Sequence, residues 1–156
     1  GDPEGALARM TDAEIEPVVL HELGEGAAGR QLGGAWEEML LQVAGSRAEI
    51  GLRAVRDLLA DCTSTLPWLL EAGAEASLHY YFANLRGMRK ALFPRLGRAY
   101  DTWVEDGSTA ALADAAEAGR GHWAEVAARA LELAADCPPA TAPDALAGLV
   151  EAQALD

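Results

Sequence analysis

Five of the chain's twelve basic residues fall within one stretch, Ala76–Trp103: Arg86, Arg89, Lys90, Arg95 and Arg98. Spacings of three and four make Arg86, Arg89 and Lys90 neighbours on a helix, where two or three of them can address a single anion. Lys90 is the only lysine of the chain, and Phe82 and Phe93 flank the group. Such apolar neighbours lower the local dielectric and strengthen any contact made there. On a helical projection Arg89 lands between Phe82 and Leu85, on the apolar stripe. Glu75, His79, Arg86 and Lys90 form a polar strip along its edge. A guanidinium at the rim of a core needs a partner. Two readings follow: a salt bridge to one of the chain's many carboxylates, or an anion site for a carboxylate or phosphate with Tyr80 or Tyr81 as hydroxyl partners. The candidate ligand-binding set is therefore Arg86, Arg89, Lys90, His79, Tyr80 and Tyr81, joined by His122 and Trp123 on a later helix.

The three histidines, His21, His79 and His122, fall on three predicted helices, and such a set can ligate a metal inside a bundle. Glu22 and Glu25 lie beside His21, and Glu75 lies one turn before His79. Yet no Glu-x-x-His pair of the di-iron type is present, and His21 projects away from the side of Ile15, Val19 and Leu23. No metal and no cofactor is assigned on this pattern. The rival to a binding domain is a small bundle enzyme, metal-assisted through His79 and His122. Cys62 and Cys137 each follow an aspartate and lie near a predicted helix C-terminus, where carboxylates and the helix dipole disfavour thiolate. Both read as ordinary buried or half-buried thiols. No Ser-His-Asp or Cys-His arrangement can be argued, so no catalytic residue is named.

The elements that must position these groups are helices. Leu78, Tyr81/Phe82, Leu85, Met88, Leu92, Leu96, Tyr100 and Trp103 recur every three or four residues, which makes Ala76–Trp103 the expected centre of the fold. Pro94 should kink or divide it. Isoleucine is confined to Ile15 and Ile50 and valine is sparse, so an extensive sheet is hard to build. The prediction is an all-α protein: a compact bundle of six to eight helices in a single domain over 11–156, after a disordered or tag-derived tail at 1–10. Thr11 and Glu14 form a capping box, and Ser46 and Glu49 form another. Gly24 to Gly34 reads as a hinge or irregular connection. Leu32, Trp36, Met39/Leu40 and Val43 mark one helix, and Ile50, Val55, Leu58/Leu59 and Cys62 the next. Thr63-Ser64-Thr65 should end the latter, with Thr65 capping a short helix that Gly73 closes. Gly107 ends the organising stretch and Ser108 caps a long helix running to Pro138-Pro139. Gly119 and Gly121 mark a close contact or a break within it. Thr141 caps the last helix.

The formal charge of −13 repels phosphate backbones and anionic membranes, so nucleic-acid and membrane-surface partners are set aside. The apolar runs are far short of a membrane span, no signal-peptide pattern is present, and a cytoplasmic location is expected. Alanine-rich faces with Gly87 and Gly97 suit close helix contact, including that of a homo-oligomer. The chain begins Gly1-Asp2-Pro3 without an initiator methionine, which suggests a cleaved tag or an excised fragment.

Three patches carry a resemblance to a known helical domain: Gly51-Leu52-Arg53-Ala54-Val55-Arg56 leading to Leu66-Pro67-Trp68; Arg86-Gly87-Met88-Arg89 running into Tyr100 and Trp103; and the alanine-rich helix with Trp123. Together they resemble the C-terminal domain of enzymes similar to butirosin biosynthesis protein H, across about two thirds of the chain. Those enzymes carry a papain-like domain that moves an acyl group from an acyl carrier protein to an amine. The resemblance implies an accessory domain in bacterial biosynthesis and an acidic carrier protein as partner. It transfers no catalytic residue, because the domain bearing the Cys and His has no counterpart here. Ala83-Asn84-Leu85 stands where that family has a glycine-rich run.

Overall fold

A computed structural model describes residues 32–156. The amino-terminal capping box, His21 and most of the glycine-rich passage lie outside the described residues. Within them every regular element is helical and no strand occurs. The predicted all-α bundle is the fold.

The described chain opens in a helix through residue 42 (α1), with Trp36, Met39 and Leu40 buried on its inner side. Gly45 turns the chain at φ +77°. α2 (Arg47–Ala60) starts at the predicted cap: the Glu49 N–H donates to Ser46 Oγ at 3.4 Å. Glu49 returns its carboxylate to the Gly45 N–H at 2.7 Å, one residue before the position a standard capping box uses. Leu52, Val55, Leu58 and Leu59 form the buried face, but Ile50 is 59% exposed. The stripe enters through Ala48 instead.

At Asp61 the expected stop does not occur. The helix passes into a π-helical turn, Asp61–Thr65, and on into α3 (Leu66–Glu71) without a break. The Thr63 and Ser64 hydroxyls donate to the carbonyls of Leu59 and Ala60, four residues back, so they occupy the existing helix instead of capping a new one. The Leu66 N–H reaches the Asp61 carbonyl, five residues back. Thr65 makes no side-chain cap. The widened turn leaves Asp61, Cys62 and Thr65 all buried. Gly73, at φ +61°, closes α3 as predicted.

The stretch Ala76–Trp103 is three helices: α4 (Glu75–Asn84), α5 (Gly87–Leu92) and α6 (Pro94–Asp106). The break before Pro94 was legible. The earlier one was not: Leu85 and Arg86 are extended and Gly87 takes φ +57°, a conformation open to glycine. Gly107, at φ +74°, ends α6. α7 (Ala110–Asp136) then runs 27 residues unbroken, about 40 Å. Thr109 precedes it without a side-chain cap, although Ser108 Oγ accepts from the Ala110 N–H at 3.4 Å. α8 (Ala142–Glu151) follows Pro138-Pro139; Thr141 at its start makes no side-chain cap either.

α2 and α7 form the centre of the bundle, packed on each other, on α8 and on the π turn. The expected central stretch instead contributes α6, which lies along α7, and α5, which lies on α2. Small residues account for the difference. α7 presents Ala115, Ala116, Gly119, Ala127 and Ala130 to the interior, fully or nearly fully buried, and helices meeting over small side chains approach closely. Gly51 in α2 does the same for α8: a Cβ there would stand 3.0 Å from Val150 Cγ1.

Two glycines of α7 should respond oppositely to the same substitution. A Cβ on Gly119 would stand 2.5 Å from Cys62 Sγ and 2.8 Å from the Phe93 ring, whereas one on Gly121 meets nothing. Gly119→Ala should cost about 1–3 kcal/mol through overpacking. Gly121→Ala should stabilise by about 0.5–1 kcal/mol through helix propensity. Urea unfolding of the two variants measures both signs.

Candidate functional site

The centre of charge in the fold is Asp61. It has no solvent exposure. The π turn carries it inward on the face that Leu58 begins, and groups from two later helices reach it. Tyr81, on α4, donates its hydroxyl to Asp61 Oδ2 at 2.8 Å. Arg89, on α5, donates Nη1 to the same oxygen at 3.0 Å. Arg89 Nη2 also donates to the Asn84 carbonyl at 3.3 Å, closing the open end of α4. One guanidinium thus ties α5 to the π turn and to the helix before it. Of the two readings of Arg89, the geometry is that of a salt bridge, with the arginine side chain 23% exposed and the carboxylate fully enclosed.

The surroundings set the protonation states. Tyr81 is half-buried as a residue, but its hydroxyl end points inward. Burial, and then the Asp61 charge, push its pKa well above the ordinary tyrosine value. The Cys62 thiol is pushed up by burial and by Asp61 beside it, so it stays protonated and poorly nucleophilic. Both cysteines are free; Cys62 is buried and Cys137 half-buried.

The break at Leu85–Arg86 dismantles the projected polar strip, because positions before and after it no longer share one helix. Arg86 and Lys90 lie exposed on the α5 side of the break. Arg86 Nε donates to the Ala83 carbonyl at 3.1 Å. Tyr80 is exposed, while Tyr81 points at Asp61. His79 turns toward α6: Nδ1 bonds the Tyr100 hydroxyl at 2.8 Å, and the ring lies 4.8 Å from that of Trp103. Phe82 stacks on Tyr100 beside it, at 4.2 Å. His122 Nε2 donates to the Gln153 carbonyl at 2.7 Å. Trp123 is wholly buried, edge-on to Phe93 at 5.8 Å, which removes it from any surface ligand set and makes it core. His79 and His122 therefore serve different contacts. Among the described residues no group of three or more His, Cys, Asp or Glu side chains could hold a metal ion, and no helix is long and apolar enough to cross a membrane.

Sequence reasoning passed over Asp61 as one acid among many. The signal was present: Asp61 lies three residues after Leu58 and next to Cys62, an acid on an apolar stripe. That position identifies a carboxylate bound for the interior, and a buried carboxylate requires a cation.

An all-α bundle with an ion pair locked between the π turn after α2 and the short helix α5 is the class this geometry defines. The match to known families is at the same level: the chain belongs to the family described as "Family of unknown function (DUF6866) C-terminal domain", whose model matches residues 1–153. No curated protein and no solved structure matches the chain.

Arg89→Ala should destabilise by about 3–5 kcal/mol, because it breaks an ion pair to an enclosed carboxylate; thermal or urea melts measure the loss. Alkaline pH should also weaken the fold. Folded-state pKa values above the ordinary ones mean that Cys62 and Tyr81 hold protons that the unfolded chain releases. Their contribution is complete below the ordinary values, about 8.5 for thiol and 10 for phenol, and declines as pH rises beyond them. Tyr81→Phe should remove the part of this decline that begins near pH ~10. In native protein a thiol reagent should modify Cys137 at once and Cys62 only on unfolding.

Proposed function

We propose that this chain is a helical accessory domain that binds an anionic group, on a small ligand or on an acidic carrier-type protein, in bacterial biosynthetic metabolism. The observation that carries the reading is the state of the cations in and just before α5. Acidic residues outnumber basic ones 25 to 12, yet Arg86 and Lys90 are exposed and no carboxylate among the described residues pairs with either. Arg89, between them, is anchored to Asp61. The anchor holds α5 in place and leaves Arg86 and Lys90 at the surface on either side of it.

The same geometry argues for binding over covalent chemistry. Cys62 is kept as a thiol, and the Asp61 carboxylate is engaged by a phenol and a guanidinium. The binding role thus rests on Arg86 and Lys90, and Arg89 supports them from behind.

Calorimetric titration with a hexaglutamate peptide at low salt tests this. Binding should be measurable, should weaken as salt is added, and should vanish in the double variant Arg86→Glu/Lys90→Glu. Substitution at exposed positions should move stability by no more than about 0.5 kcal/mol. Undiminished binding by the double variant would overturn the reading.

A further inference from the structure

α6 and α7 lie side by side, and a groove of about 390 Å³ opens along them. Arg95, Arg98 and Thr102 line it from α6, Asp114 from α7 and Asp156 from the tail, with alanines completing the wall. Its two arginines are one turn apart and differently engaged. Arg98 Nη1 donates to Asp156 Oδ1 at 2.9 Å, with the Asp156 side chain 84% exposed. Arg95 is half-buried and pairs with no carboxylate among the described residues. A partly buried guanidinium without a counter-charge is uncommon, the more so in a chain this acidic.

Asp156 is delivered to the groove by contacts that do not involve Arg98. The Leu155 N–H donates to the Leu92 carbonyl at 2.8 Å, and the Arg95 N–H donates to the Leu155 carbonyl at 3.2 Å. His122 holds the Gln153 carbonyl. The backbone therefore places a carboxylate at Arg98 while the neighbouring cation stays open. A free carboxylate has two oxygens and can accept from both guanidinium groups at once. Asp114 on the lining disfavours a second negative charge, and the alanines offer apolar contact to a short alkyl chain.

We propose that the α6–α7 groove binds small monocarboxylates, the carboxylate bridging Arg95 and Arg98, and that Asp156 is a tethered competitor which the ligand displaces. This site is separate from Arg86 and Lys90 and stands or falls without them.

Sodium butyrate titrated into the full chain, followed by heteronuclear NMR against sodium chloride at equal ionic strength, is the test. Saturable shifts are expected at the backbone amides of Arg95, Arg98 and Ala99, with Asp156 moving in step. Arg95→Gln and Arg98→Gln should each weaken binding about tenfold or more, the worth of a charged hydrogen bond. Asp156→Asn should tighten it roughly two- to fivefold, since an exposed ion pair is worth little more than that. A misfolded variant cannot produce a gain, so that arm is informative by itself. Inorganic phosphate should bind more weakly than butyrate, and Asp114→Asn should narrow the gap. Shifts that chloride reproduces, butyrate binding retained in Arg95→Gln, affinity unchanged or lowered in Asp156→Asn, or phosphate binding as well as butyrate would each overturn the proposal.

Discussion

A carboxylate without solvent exposure has to be met by groups brought to it, and in this bundle much of the arrangement follows from meeting Asp61. The residue sits on a π turn that keeps α2 and α3 continuous while directing Asp61, Cys62 and Thr65 inward. Tyr81 and Arg89 converge on one oxygen of it from α4 and α5. Enclosing a charge is costly, and an ion pair of this kind adds less net stability than an apolar replacement of equal volume can. What it does supply is position. α5 is only six residues long, too short to hold itself as a helix in water. The guanidinium bond to Asp61 and the second bond to the end of α4 fix where it lies.

The other constraint is the closeness of α7 to its neighbours. Gly119 lets the helix approach Cys62 on the π turn and Phe93 at the α5–α6 junction until no Cβ can be accommodated. The contact lies one residue from Asp61 in sequence, so the polar anchor and the tightest apolar packing meet at the same turn. Phe93 is also the point to which the tail returns, through the backbone bonds between Leu155 and the residues on either side of that junction. The break before Pro94 is thereby clamped from α7 and from the carboxyl-terminal segment together.

These two constraints explain how an acidic chain can display basic groups. Arg89 is used up internally, and Arg86 and Lys90 are left at the surface. The aromatic cluster of His79, Phe82, Tyr100 and Trp103 joins α4 to α6 through ring contacts and one hydrogen bond. The polar histidine is thus employed in docking one helix against another.

The sequence by itself determined the helical class, the core stripes of α1 and α6, the Ser46 cap, the stops at Gly73 and Gly107, the division at Pro94 and the need of Arg89 for a partner. Each of these follows from periodicity, proline or glycine geometry, or the cost of desolvating one charge, and all are local properties. Tertiary structure decided the rest. Thr63-Ser64-Thr65 reads as a stop, but the Thr63 and Ser64 hydroxyls bond backward and the helix continues through a widened turn. Gly87 was read as a surface for helix contact, yet it serves to turn the chain, because Arg89 must double back to reach Asp61. Ile50 faces outward because α2 is rotated to place Gly51 against Val150. Which carboxylate would take Arg89, and therefore which cations would remain outside, depended on a contact spanning 28 residues. No spacing rule reaches that far along a chain.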